Sequence, residues 1–170
     1  GFLEVNYKNA RGLNAIAGFR ASFVPELGET FFEPRLNILQ KLSSAFSVSV
    51  MGELKHQLTT QTIDLQEDFL GVEKRRWTLA DEENVPIVHS KQVSLGVNFV
   101  KNDWFASVTG FYKNVDEIFT DNLGFQDQLE FTNLIGRYQV AGAEVLVDKK
   151  IKNFKISAAY AYKDNKLEFD

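Results

Sequence analysis

The chain has 170 residues, a net charge of −4 and a pI of about 5.3, enough length for one domain with a core and too acidic for a phosphate-binding stripe. It has no cysteine, which excludes disulfides and thiolate metal sites. No apolar run reaches the ~18 residues a membrane-spanning helix needs, and 15 Phe against 3 Pro is a composition that suits β-strands.

In chain order, the pattern predicts a strand from the first residues. Leu3, Val5 and Tyr7 alternate with Glu4 and Asn6. No basic, signal-like region precedes them, so the chain reads as beginning inside a larger protein. After a short turn at 8–12, Ala15, Ala17, Phe19, Ala21 and Phe23 alternate with Gly18, Arg20 and Ser22 in a second strand. A longer loop is expected over 24–30, where Pro25 and Gly28 break the pairing. Leu36 and Ile38 mark a third strand that ends near Leu42, and Ser43 and Ser44 form a tight turn. Phe46, Val48, Val50, Gly52 and Leu54 then alternate with Ser47, Ser49, Met51 and Glu53 in a fourth strand.

Residues 58–90 read as a long irregular connection of mixed charge. Beyond it comes the clearest hairpin pattern. Val93, Leu95, Val97 and Phe99 share one face, the chain reverses at residues 101–103, and Trp104, Ala106, Val108, Gly110 and Tyr112 share the face of the return strand. That sixth strand continues to Phe119, and another long loop is expected over 121–136. Ala141, Ala143, Val145 and Val147 give a seventh strand and a short turn follows at 149–153. Phe154, Ile156, Ala158, Tyr160 and Tyr162 give the eighth, with the remaining residues in a further loop. No window carries a sustained helical stripe.

The fold expected is therefore all-β: an antiparallel up-and-down meander of about eight strands across residues 1–170. Connections after the odd-numbered strands are expected to be short and those after the even-numbered ones long. That asymmetry suits a transmembrane β-barrel with short turns at one end and long loops at the other. Trp104 and Tyr112, like Phe154 and Tyr162, are eight residues apart on one face, ~27 Å at ~3.3 Å per residue, close to the ~25 Å between aromatic girdles. The opposite face, with Ser47, Ser49, Ser94, Asn98, Glu53 and Glu144, suits a wet lumen. A soluble ligand-binding β-barrel or sandwich, which would gather the apolar face in a dry centre, is the competing expectation.

Three segments carry a resemblance. FEPRL at 32–36, followed by a tight turn and FSVSV at 46–50, is one. KQVSLGVNF at 91–99, with Trp104 and FYK at 111–113 on the return strand, is the second, and YQVAGAEV at 138–145 is the third. In order and spacing the set resembles TonB-dependent outer-membrane receptors of Bacteroidetes-type bacteria. The resemblance implies a barrel of about 22 strands with a plugged lumen in the bacterial outer membrane. It implies energised uptake of a small nutrient such as a siderophore, haem, cobalamin, glycan or peptide. Its partners would be outer-membrane lipid, a plug domain and a periplasmic energy-coupling protein, with no nucleic acid. Plug, coupling box and terminal aromatic strand have no counterpart in these residues, so the chain is expected to be a segment of the C-terminal half of such a barrel. A self-contained eight-stranded outer-membrane barrel with a structural or adhesive role is the alternative.

No nucleophile motif, phosphate loop or carboxylate pair marks an enzyme, and no cofactor is expected. Lys74, Arg75, Arg76 and Trp77, with His89, form the candidate extracellular ligand-contact residues. His56 and His89 bracket the long connection; their spacing gives no metal motif, and solvated positions at the base of a loop are expected. Asp81, Glu82 and Glu83 lack a Ca²⁺-loop pattern.

Overall fold

The computed structural model describes residues 1–63, 75–81, 85–123 and 131–169; of residues 62–63, 75–76, 119–123 and 131–134 it describes the backbone alone. Ten strands form among the described residues: β1 (Phe2–Lys8), β2 (Leu13–Val24), β3 (Glu29–Lys41), β4 (Phe46–Gln57), β5 (Thr59–Ile63), β6 (Arg75–Leu79), β7 (Val88–Lys101), β8 (Trp104–Leu123), β9 (Phe131–Ile151) and β10 (Phe154–Phe169). Eight of them make one antiparallel sheet in the order β1-β2-β3-β4-β7-β8-β9-β10, each strand beside its neighbour in the meander. The eight strands expected from alternation are these eight, in the same order. The sheet is open, with β1 and β10 at its edges.

The reversals explain themselves locally. Asn102 and Asp103 both take positive φ (50° and 63°), the backbone of a two-residue type I′ hairpin whose twist matches the strands it joins. In the 9–12 turn, the Asn9 side-chain oxygen accepts the Arg11 and Leu13 N–H groups at 2.9 and 3.0 Å, and Gly12 supplies φ 81°. At 42–45, Ser43 Oγ accepts from the N–H of Ala45 and of Phe46.

Four expectations need correction. Residues 25–28 are a four-residue turn and not a longer loop, since β2 runs through Val24 and β3 resumes at Glu29; a brief reversal thus shares an end with the extended ones. All reversals at the opposite end are brief, so the length asymmetry survives only on that side. The 58–90 stretch contains the paired strands β5 and β6, Thr59 opposite Leu79 and Ile63 opposite Arg75, and contributes the start of β7. The loop expected over 121–136 is largely ladder, for β8 and β9 pair out to Leu123 and Phe131. β10 likewise continues to Phe169.

Proline decides where one ladder stops. The β3–β4 register ends at Arg35 opposite Glu53, immediately before Pro34, which has no N–H to give. The His56 N–H beyond that point is accepted at 2.9 Å by the Glu33 carboxylate, a side chain substituting for the missing strand. A second irregularity lies in β8. Glu117 is an extra residue between Asp116 and Ile118, bulged out at φ 62°.

Candidate functional site

Opposed residues of a ladder share a face, so the register sorts every side chain. The row Tyr7, Ala15, Ile38, Val50, Leu95, Gly110, Ala143, Tyr162 crosses all eight strands without a polar member. The rows beside it add Val48, Val97, Val108, Val145 and Tyr160 on one side and Val5, Leu36, Val93 and Tyr112 on the other. This apolar face is uncovered: Leu95 is 56% exposed, Val108 51% and Tyr160 69%. Apolar side chains buried among the described residues are only Phe31, Ala80, Val85 and Val140, and none of the large ones is fully enclosed. The face is not gathered into a dry centre.

The apolar band is bounded, and its bounds are slanted. On β4 it runs from Phe46 to Leu54, on β8 from Trp104 to Tyr112 and on β10 from Phe154 to Tyr162, the same height each time. Its turn-side margin is Tyr7 on β1, Leu13 on β2, Phe46 on β4, Trp104 on β8 and Phe154 on β10. Traced through the register, that margin falls by one ladder row at each of these steps. Tyr7 and Tyr162 therefore occupy one ladder row, yet Tyr7 is at the turn-side margin and Tyr162 at the loop-side margin. The drift of about eight residues over seven strand steps, at ~3.3 Å along and ~4.8 Å across, inclines the strands by about 40° to the normal of the band.

The other face is polar and crowded. Arg35 reaches across β2 to Glu4 on β1 at 2.7 Å and lies 4.7 Å over the Phe2 ring. It can do so because Gly18 intervenes; a Cβ there would fall on the Arg35 side chain. Lys55 pairs with Glu53 at 2.9 Å. Arg35, Asn37, Glu53, Gln92 and Ser94 line a recess of about 340 Å³. Glu53 and Glu144 are both on this face, as alternation requires.

Beyond the loop-side margin of the band, the face that was apolar turns polar. His56 on β4 is directly opposite His89 on β7, with ring centroids 4.9 Å apart in an edge-to-face arrangement. Phe31 packs on His56 at 5.4 Å, and Glu33 Oε1 is 3.9 Å from its Nδ1. His56 Nδ1 is buried without a hydrogen-bond partner. Burial first, and His89 second, hold the His56 pKa below 6.5, while Glu33 pulls the other way. His89 Nε2 is 3.6 Å from Glu117, and on the next strands Asp116 accepts from Asn114 at 2.5 Å and from Arg137 at 3.0 Å. His89, Asp116, Glu117, Arg137 and Glu168 line a recess of about 660 Å³ at this end.

Sequence reasoning brought only some of this together. Trp77 is exposed on the small β5–β6 sheet and His89 is on the large one; no ring contact or hydrogen bond joins them among the described residues. Arg75 and Arg76 are on β6, with side chains outside the described residues, as is all of Lys74. Asp81 Oδ1 accepts the Val85 N–H at 3.0 Å, and Glu82 and Glu83 are outside the described residues. The histidines, expected as solvated positions at the base of a loop that could be brought close in space, are a contacting pair. Glu33, Asp116, Glu117 and Arg137 were missed. The available signal was parity: His56 and His89 continue the every-second-residue pattern of Phe46 and Phe99 to the far end of their strands. Among the described residues no three His, Asp or Glu side chains are arranged to hold a metal ion. No helix among them is long and apolar enough to cross a membrane, which says nothing of strands.

Compared with known protein families, with curated proteins and with solved structures, the chain matches none.

Proposed function

We propose that this sheet is part of the wall of a transmembrane β-barrel in the bacterial outer membrane, with its apolar band in the hydrocarbon and its polar face toward a wet lumen. The observation that carries the reading is the slant of the band. A level hydrophobic belt drawn on tilted strands must drift through the register, and about 40° falls within the ~35–45° tilt of such barrels. The belt is nine residues long on three strands, Phe46–Leu54, Trp104–Tyr112 and Phe154–Tyr162, at the short end of the ~9–11 residues with which a tilted strand crosses a bilayer. Exposure is the second support. Covering a Val, Leu or Phe fully is worth about 1.5–3 kcal/mol, and the band leaves a whole face of them open.

The barrel is that of a TonB-dependent nutrient receptor. This half of the proposal rests on the three resembling segments, which fall on β3–β4, on the β7–β8 hairpin and on β9. The nutrient would approach from the loop end, where Trp77 and the recess beside His89 are found.

Two measurements test the two halves. Trp77 and Trp104 are the only tryptophans. In a Trp77→Phe variant reconstituted into vesicles, Trp104 fluorescence is expected to be quenched by brominated lipid and shielded from aqueous iodide; the reverse pattern eliminates the membrane reading. Deleting the gene is expected to abolish growth on one limiting nutrient among siderophore iron, haem, cobalamin, glycans and peptides. Undiminished growth on all of them eliminates the transport reading.

A further inference from the structure

The two ends of the sheet differ sharply in charge. Within four residues of the brief reversals at 9–12, 42–45, 102–103 and 152–153 stand eight Lys or Arg side chains and only two acids, Asp103 and Asp148. The connections at the opposite end, 25–28, 58–87 and 124–130, carry ten acids and three bases. A chain of net charge −4 thus presents a rim of about +6 at one end.

The rim meets the margin of the apolar band at particular side chains. Lys101, Trp104 and Lys149 are consecutive members of one row on the apolar face, at the last step of the band. Lys149 Nζ is held 4.8 Å over the Trp104 ring and donates to the Asn102 carbonyl at 2.9 Å. Lys101, Lys150 and Lys152 are exposed and make no ion pair among the described residues. Of the two acids, Asp148 is already engaged by Lys155 at 2.9 Å. An indole at the edge of an apolar belt, with unpaired ammonium groups beside and beyond it, matches a bilayer interface whose head groups are negative.

We infer that the short-turn rim binds anionic phospholipid head groups, with Lys101, Lys149 and Lys152 facing the lipid phosphates and Trp104 seated at the glycerol level. The inference rests on the band being lipid-facing and adds to it the chemistry of the leaflet at that end. Charge complementarity selects this occupant. The net charge of the whole chain would drive it away from an anionic bilayer, so attraction requires the local rim.

The test is flotation of the chain with neutral phosphatidylcholine vesicles and with vesicles containing about one third phosphatidylglycerol. Wild type is expected to favour the anionic vesicles about tenfold in low salt, with most of that preference lost near 0.5 M salt. K101Q/K152Q is expected to lose at least about threefold of the preference. K113Q/K163Q, with the same change in net charge on the polar face, is expected to stay within about twofold of wild type. β-sheet circular dichroism in detergent checks that both variants fold. Insertion into both vesicle types without preference overturns the rim while leaving the band reading intact. Equal loss in both variants overturns it too, by assigning the effect to net charge. Failure to enter any bilayer overturns the band reading and the rim together.

Discussion

His56 concentrates the local conflicts of the loop end. Its imidazole is in contact with a second histidine, its Nδ1 has no partner, and its pKa is held low by burial and by His89. It is beyond the apolar band, so water and protons reach its surroundings. A folded-state pKa below the unfolded 6.5 means that the unfolded chain binds the proton more readily. The contribution of neutral His56 is therefore complete above pH 6.5 and is lost as pH falls through its folded value. Glu33 beside His56 pulls the other way and softens the loss. In detergent micelles the urea midpoint is expected to fall between pH 7.5 and pH 5, and to fall less in His56→Gln. An equal fall in both would assign the pH dependence elsewhere. Glu117 adds strain to the same place. A non-glycine residue at φ 62° in a bulge is sparsely populated backbone, held here beside His89.

At the scale of the strand, alternation fixes which face each residue takes, and under the proposed membrane reading lipid or water then decides what that face tolerates. Leu95 is in the row that crosses the middle of the sheet, while Asn98, three residues on, faces the polar side between Ser47 and Ser107. Leu95→Arg is expected to cost about 2–4 kcal/mol of stability in a bilayer, the price of a cation near the midplane. Asn98→Arg is expected to stay within about 1 kcal/mol. Urea titration of the two variants in lipid vesicles measures both; equal costs would remove the distinction between the faces. Strand order and the alternating middle of each strand were legible because Val, Phe and Tyr alternate with Ser, Asn and charge; the starts of β3 at Glu29 and β9 at Phe131 were not. Strand ends were not. β8 and β9 extend where alternation has faded, because a ladder already formed continues by pairing backbone groups whatever their side chains. The 25–28 turn was read as longer because Pro25 and Gly28 are breakers, yet they bound a tight reversal, with Gly28 at φ 68° donating to the Val24 carbonyl.

At the scale of the whole molecule, the sheet has two open edges and one uncovered apolar face among the described residues, which form a curtain of strands with no second layer over it. The polar face has its own cross-strand links, Arg35 to Glu4 and Lys155 to Asp148, but solvent screens such pairs and they contribute little. Cohesion comes from the ladders. The charged ends and the slanted band belong to this scale alone, since neither can be seen in any one strand.

The amino-acid sequence alone determined the all-β class, the eight strands of the large sheet in their order, and the two faces of each, because the period of two is a local property of the backbone. The tertiary structure decided the register, and with it the slant of the band, the meeting of His56 with His89, and the reach of Arg35 over Gly18 to Glu4. Register is a relation between segments distant in sequence. It is set by where ladders begin at the turns and stop at Pro34 or bulge at Glu117, and the alternation within one strand reads the same at every even displacement.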